Sequence, residues 1–130
     1  MRTVLFALIL LLGACQTNPF SEVPDRLTLQ LKTFESVVRW GALEKMYAFE
    51  KPEPDRPVQI PEGLDNVRVT NYELASPLAR LTPTRWTQTA VIDYVLTDRQ
   101  VVRQVVDHQV WVSDDDGKHW YRQTPVPRFR

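Results

Sequence analysis

The sequence predicts an α+β fold in which two N-terminal helices pack on a curved, four-stranded antiparallel sheet. Two observations predict this class. The first half of the domain repeats its apolar residues at helical spacing, and the second half alternates apolar and polar residues as strands do. The chain has 130 residues, of which 43% are hydrophobic and 25% are charged, as expected of one globular domain.

The charge of the chain is balanced, with 16 basic and 16 acidic residues. The basic residues are scattered singly along the sequence and form no run or stripe. Proteins that bind nucleic acid usually concentrate positive charge on one face. The composition therefore argues against a nucleic-acid partner.

The N-terminus has the pattern of an export signal. Residues 1–3 carry one positive charge and are followed by an unbroken apolar run, residues 4–12. This run is too short to cross a bilayer core of about 30 Å, which needs about 20 helical residues. We therefore predict a signal peptide that is cleaved, and not a permanent membrane span.

The apolar run ends in Leu12-Gly13-Ala14-Cys15, which resembles the lipobox of bacterial lipoproteins. Small residues before the cysteine fit the narrow site of the signal peptidase, and the cysteine thiolate is nucleophilic enough to take a diacylglyceryl group. Residues 1–14 are then the signal peptide, cut between Ala14 and Cys15. An ordinary secretory signal with a chance cysteine is the alternative.

The resemblance implies that Cys15 carries acyl chains such as palmitate and that these hold the protein on a membrane. Cys15 is the only cysteine in the chain, so no internal disulfide can form. Gln16 follows it, and by resemblance to enteric-type sorting a residue other than Asp there implies the periplasmic face of the outer membrane. Residues 15–24 then form a short polar, lipidated tether to a single domain, residues 25–130.

The first predicted helix starts at Asp25, which we expect to cap it. Its apolar residues are four, three and four positions apart: Leu27, Leu31, Phe34 and Val38. A second stripe of Trp40, Leu43 and Tyr47 is rotated from the first, and Gly41 lies at the change. A break near Trp40-Gly41 therefore predicts two helices that pack on one surface.

The segment of residues 51–63 contains four prolines: Pro52, Pro54, Pro57 and Pro61. Each proline lacks a backbone donor and fixes its own φ, so neither a helix nor a central strand can persist there. We expect an extended, covered connection within one domain, because too few residues precede it to bury a separate core.

The remaining chain predicts a four-stranded meander. A strand over residues 67–74 is followed by a loop over 76–83, which contains Pro77 and Pro83. Two long strands, residues 84–97 and 100–113, meet at a tight turn formed by Asp98-Arg99. A short strand over 119–123 precedes the tail of residues 124–130.

The order of these elements, the Arg39-Trp40-Gly41 step and the closing Asp/Gly turn with its Trp-Tyr strand resemble nuclear transport factor 2-like domains. The resemblance implies a cone-shaped α+β fold whose pocket hosts either binding or acid/base catalysis. A cystatin-like domain, or another wrap of helix and sheet, is the alternative.

The two-residue turn sets a register in which Trp86 pairs with Trp111, Thr89 with His108 and Asp93 with Gln104. One face of the hairpin is then rich in valine, with polar groups set into it, as a small-ligand pocket requires. The candidate pocket residues are Asp93, Tyr94, Gln104 and His108. The alternative is that Asp93 is hydrogen-bonded to a neighbour, His108 lies near an open edge, and the two tryptophans form a cross-strand pair.

Residues 113–120 match the S-x-D-x-G-x-x-W pattern of an Asp-box. The Ser113 and Asp115 side chains can cap backbone donors inside a turn, Gly117 supplies a positive φ, and Trp120 folds back as a lid. Asp-boxes recur in sialidase propellers and in unrelated folds, away from catalytic centres. Because the motif occurs once, we interpret it as structural.

The sequence offers little for catalysis or metal binding. The three aspartates at 114–116 lack the spacing and the later Glu of a calcium loop. There is no HExxH, GxSxG or glycine-rich phosphate loop, and two histidines with one cysteine make a weak zinc site. We therefore predict no cofactor, no metal and no catalytic residue.

The function that the sequence predicts is a lipid-anchored, non-enzymatic envelope domain that binds a protein partner or a small apolar ligand. The alternative is a small isomerase or hydrolase that uses Asp93 or His108 as its base, with Tyr94 as a donor. A third possibility, an assembly module, requires an exposed apolar patch of several hundred Å².

Overall fold

The computed structural model describes residues 22–130. The signal peptide, Ala14, Cys15 and most of the tether lie outside the described residues. Within them the α+β class is confirmed: an α-helix and a 3₁₀ helix accompany an open, four-stranded antiparallel sheet. No helix among residues 22–130 is long and apolar enough to span a membrane.

Helix α1 spans Asp25–Trp40 and buries Leu27, Phe34 and Val38, three of the four predicted apolar positions. The predicted cap is wrong, since Pro24 occupies the N-cap position and no side chain caps the helix. Asp25 lies instead in the first turn, where its negative charge still favours the positive end of the helix dipole.

The chain leaves the helix at Gly41, where the break was predicted. The Gly41 N–H donates to the Val37 carbonyl at 2.9 Å, and a Cβ on Gly41 would lie only 3.0 Å from that same oxygen. The second helix is a 3₁₀ helix, Leu43–Phe49, and not an α-helix. It buries Leu43 and Tyr47, but Trp40, which we expected in the same stripe, is 78% exposed.

The proline-rich segment contains no helix and no strand of the sheet, as predicted, but a tight turn at Glu53–Arg56 interrupts its extended course, and it is not covered. Every residue from 52 to 63 is exposed, including Val58 and Ile60. The segment begins beside the last strand, where the Lys51 N–H donates to the Arg122 carbonyl at 3.0 Å. It ends in a 3₁₀ turn, Leu64–Asn66, just before the first strand.

The sheet has the order β1-β2-β3-β4, with β1 at Val67–Thr82, β2 at Arg85–Leu96, β3 at Val101–Val112 and β4 at Tyr121–Arg122. The predicted loop over residues 76–83 is wrong, because β1 continues through it to Thr82. Three register shifts fall between Leu74 and Thr82, and Pro77 lies on an edge strand, where a missing N–H breaks no ladder.

The β2–β3 hairpin has the predicted register, which pairs Trp86 with Trp111 and Asp93 with Gln104. Its turn is longer than predicted and occupies residues 97–100, with Gln100 at a φ of 55°. The Asn66 side chain accepts a hydrogen bond from the Asp98 N–H at 2.8 Å and so holds this turn against the start of β1.

The core lies between α1 and one face of the sheet, which we call the inner face. On β2 the inner face contains the buried residues Trp86, Gln88, Ala90, Ile92, Tyr94 and Leu96. The 3₁₀ helix packs beside α1, and the C-terminal tail crosses the same face, where Phe129 meets Tyr94 edge-on with ring centroids 5.0 Å apart. Burial of these large side chains is the main favourable contribution to folding.

A polar cluster lies within this core, centred on Asp107 and Arg122, whose side chains are 2% and 0% exposed. The guanidinium binds both carboxylate oxygens of Asp107 and also donates to the Thr124 and Pro125 carbonyls. The Cζ atom of the guanidinium also lies over the Phe34 ring, 5.3 Å from the ring centroid. One arginine therefore joins β3, β4, α1 and the tail.

Gln109 extends the cluster across the sheet. Its amide nitrogen donates to Asp107 at 2.9 Å and to the Tyr72 hydroxyl at 2.8 Å. Its amide oxygen accepts from Gln88 at 2.9 Å and from the Trp111 indole at 3.0 Å. Buried polar groups that are fully paired in this way specify one packing, whereas a single unpaired member is costly.

We expect Asp107→Asn to lower the free energy of unfolding by about 3–5 kcal/mol, because the Arg122 charge would remain buried without a counter-charge. Denaturant unfolding followed by tryptophan fluorescence measures this change. Asp93→Asn is the matched control, since its half-exposed pair with Gln104 should change stability by less than about 0.5 kcal/mol. If the two variants had the same free energy of unfolding, the buried pair of Asp107 and Arg122 would not be needed for stability.

Candidate functional site

Three of the predicted pocket residues lie on the face of the sheet that points away from α1, which we call the outer face. Gln104 donates to Asp93 at 2.8 Å, and His108 Nδ1 lies 3.1 Å from the Thr89 hydroxyl. Val102, on the same face, is 74% exposed. The expectation of a concave, valine-rich pocket is therefore wrong, because the helix packs on the opposite face, which carries the larger aromatic side chains.

Tyr94 does not join the other three residues, because it lies on the inner face and is 3% exposed. Its hydroxyl donates to the Arg130 carbonyl at 2.8 Å and accepts from the Arg130 N–H at 3.0 Å. The sheet thus separates Tyr94 from Asp93 and His108. These residues cannot act on one substrate as a base and a proton donor.

The Asp-box has the predicted geometry. Ser113 Oγ accepts from the Gly117 N–H at 2.8 Å and donates to Asp115, whose carboxylate accepts the His119 N–H at 2.9 Å. A hydrogen bond from the His119 ring lowers the pKa of the Asp115 carboxyl well below its usual range. Gly117 has a φ of 83°, and Trp120 is 3% exposed.

This Asp-box holds the β3–β4 turn against the start of α1. Gln30 donates to the Trp120 carbonyl at 3.1 Å, and Arg26 donates to the Lys118 carbonyl at 3.0 Å. Among residues 22–130 no group of three potential ligands is arranged to hold a metal ion. The hydrogen bonds within the Asp-box and from α1 to its turn support the structural role that its sequence predicts.

The buried polar cluster contains titratable groups, but it is enclosed. Tyr72 is 7% exposed, and burial raises the pKa of its hydroxyl to about 12, helped by the nearby Asp107 carboxylate. The Gln109 hydrogen bond and the Arg122 charge oppose this rise only in part. The Tyr72 hydroxyl is thus enclosed together with the Asp107 carboxylate, which Arg122 binds.

The open recess that we consider as a functional site is the α1–β1 groove, with a volume of about 430 Å³. One wall is the end of α1 and the residues after it, and the other wall is the start of β1; the lining residues are Val38, Arg39, Trp40, Gly41, Leu43, Val67, Arg68, Val69 and Thr70. Its volume lies within the range of about 300–1,000 Å³ that is common for ligand sites.

Trp40 is the most exposed of the large apolar side chains in the described residues, at 78%. The Arg39 guanidinium lies over its ring, 4.8 Å from the centroid. Arg39 and Arg68 both line the groove, whereas no carboxylate of the described residues does. The groove thus combines an apolar wall with positive charge.

The sequence contains a signal for this site. The stripe of Trp40, Leu43 and Tyr47 is rotated from the first helical stripe, and its spacing predicts that all three residues pack against the domain. Gly41 turns the chain after Trp40, so Leu43 and Tyr47 face inward while Trp40 remains in solvent. A tryptophan beside a helix-ending glycine was the residue to consider for binding.

Comparison with family models, with curated proteins and with solved structures finds no match to the chain.

The Tyr72 hydroxyl predicts how stability depends on pH in alkali. Because its pKa rises from 10.0 to about 12 on folding, its contribution is complete below pH 10 and is lost as the pH rises towards 12. The loss is on the order of 2–3 kcal/mol. Denaturant unfolding between pH 9 and about 12 should show this loss in the wild type and a weaker slope in Tyr72→Phe.

Tyr121→Phe is the control for this experiment, since Tyr121 is half-buried and lies outside the core cluster. It should retain the alkaline slope of the wild type. An unchanged slope in Tyr72→Phe would contradict the assignment of the alkaline loss to Tyr72.

Proposed function

We propose that this protein is a bacterial envelope lipoprotein, held by acyl chains on Cys15 at the periplasmic face of the outer membrane. Its domain of residues 25–130 acts there as a non-enzymatic binding module. Leu12-Gly13-Ala14-Cys15 supports the anchor, and the α1–β1 groove with the exposed Trp40 supports binding. The groove is the observation on which the binding role depends.

Lipid chemistry supports a lasting anchor. Each buried methylene contributes about 0.8 kcal/mol, so two or more acyl chains hold a protein on a membrane far more firmly than one. The polar tether of residues 16–24 reaches at most about 30 Å when fully extended, at roughly 3.3–3.6 Å per residue. The domain would therefore act close to the membrane surface, on partners that are also in the envelope.

The geometry supports binding over catalysis. Asp93 and His108 lie on the outer face and Tyr94 on the inner face, so the enzyme alternative lacks a shared cavity. The groove offers an indole, two guanidinium groups and apolar side chains, which are typical components of a protein–protein contact. We favour a protein partner over a small apolar ligand. The two guanidinium groups at the groove favour an occupant with negatively charged groups, which an apolar ligand lacks.

We further propose that the domain is related to the nuclear transport factor 2-like fold. The support is the order of its elements, a helix, a short second helix and an antiparallel meander, together with the bulges of β1, which curve a sheet. A cystatin-like domain has the same support from the helix and the meander. The binding proposal holds for either fold.

We expect Cys15→Ser to abolish lipid attachment, because a hydroxyl cannot replace the thiolate in forming the thioether. Incorporation of radiolabelled palmitate, and detergent-phase partition of the expressed chain, measure the modification. Ser21→Ala is the matched control in the same segment and should be acylated like the wild type. Normal acylation and membrane retention of Cys15→Ser would refute the lipoprotein assignment.

The residue after the cysteine provides a separate test of location. If sorting follows the enteric-type rule, Gln16→Asp should move the lipoprotein from the outer to the inner membrane, as measured by density-gradient separation of the two membranes. Gln16→Asn retains an uncharged amide and should remain in the outer membrane. Retention of Gln16→Asp in the outer membrane would contradict the sorting argument. It would not contradict the proposal that Cys15 is acylated.

A further inference from the structure

The α1–β1 groove runs along the backbone edge of a strand. Four consecutive residues of β1, numbers 67–70, line it. Successive side chains of a strand point to opposite faces of the sheet, so a groove that touches all four follows the edge and not one face. Because β1 is the terminal strand of the sheet, this edge has backbone N–H and C=O groups that are not paired within the sheet.

The rest of the β1 edge is poorly suited to pairing. Its register shifts between Val69 and Asn71 and again three times before Thr82, and Pro77 lacks a donor. Bulges and prolines of this kind are common protections of an edge strand. Before the first shift, Val67, Arg68 and Val69 pair regularly with β2, and these three residues line the groove together with Thr70, which lies at the shift.

The opposite wall determines what a strand at this edge would meet. Trp40 stands at the end of α1 and is 78% exposed, which is a large apolar area for a single side chain. Exposed tryptophans that a partner can bury are frequent hot spots of protein interfaces. An apolar side chain of an added strand would cover the indole.

The charge of the groove is positive. Two guanidinium groups, Arg39 and Arg68, line it, and within residues 22–130 no carboxylate does. The C-terminal end of helix α1 contributes only about −0.5 charge. Two full positive charges exceed this, so acidic side chains are favoured at the groove.

We propose that the groove binds an extended acidic segment of another envelope protein, which pairs as a strand with residues 67–69 of β1. Acidic side chains of that segment pair with Arg39 and Arg68, and an apolar side chain packs on Trp40. Backbone hydrogen bonds give such strand addition its affinity, and the side-chain contacts give its specificity. This inference rests on the proposed binding function and names the class of partner.

The test uses the full chain solubilised in detergent and a fluorescein-labelled pool of hexapeptides that alternate Glu or Asp with apolar residues. Fluorescence anisotropy should show saturable binding of this pool. A pool with Lys and Arg in place of the acids should bind at least about tenfold more weakly, because like charges meet at the groove. An acidic pool methylated at its backbone nitrogens should weaken to a similar extent, since it cannot donate to the strand edge.

Variants at exposed positions locate the site. Trp40→Ala and Arg68→Glu should each weaken binding at least about tenfold, whereas Arg103→Glu, an exposed charge reversal on β3, should change it less than about twofold. Arg39→Glu repeats the charge test with a second residue, and thermal unfolding confirms that each variant is folded.

Several results would overturn the inference. These are no saturable binding of the acidic pool, equal binding of the methylated pool, or an equal loss in Arg103→Glu. Binding to phosphatidylglycerol vesicles in preference to the peptides would assign the arginines to a lipid headgroup, and peptide-independent self-association that needs Trp40 would assign the groove to a second copy. Failure of the lipoprotein proposal is recognised separately, by acylation of Cys15→Ser.

Discussion

The buried pair of Asp107 and Arg122 is the interaction on which the rest of the structure depends. Strand β4 has only two residues, Tyr121–Arg122, and contributes little pairing of its own. Arg122 nevertheless directs its guanidinium into the core, where it contacts the carboxylate of β3, the Phe34 ring of α1 and two carbonyls of the tail. An enclosed charge of this kind is tolerated only when every partner is in place, so it determines how helix, sheet and tail assemble.

The packing around this buried pair also limits where a ligand or partner can bind. Among the described residues, the inner face is filled by buried aromatic side chains and by the paired polar cluster. The outer face has polar pairs separated by valines such as Val102 and Val106, and among the described residues no second layer covers it. The groove between α1 and the β1 edge differs from both faces, since it combines unpaired backbone, an exposed indole and positive charge.

Local patterns predicted much of the fold. Helical spacing of apolar residues predicted α1, and the predicted two-residue turn set the correct pairing of Trp86 with Trp111. The Asp-box motif predicted the hydrogen bonds within the β3–β4 turn. Each of these depends on residues close together in sequence or on one register. The length of β1 was missed because Pro77 reads as a strand breaker, and only its place on an edge with bulges makes it compatible with the sheet.

The site was harder to predict because it depends on contacts distant in sequence. Both faces of the β2–β3 hairpin contain apolar residues, so alternation alone does not predict which face the helix covers. The helix covers the face that carries the larger aromatic side chains. Asp107 and Arg122 are 15 positions apart and follow no spacing rule. The groove combines the end of α1 with the start of β1, two segments separated by the proline-rich crossing.

Hydrogen exchange of backbone amides, measured by NMR with and without the acidic peptide pool, shows whether a peptide pairs with the β1 edge. We expect exchange to slow at least about tenfold for unpaired amides within residues 67–69 of β1. Amides on the open edge of β3, at residues 102–106, should exchange at their original rates. Protection of the β3 edge, or of neither edge, would contradict the claim that this domain functions through the groove between α1 and β1.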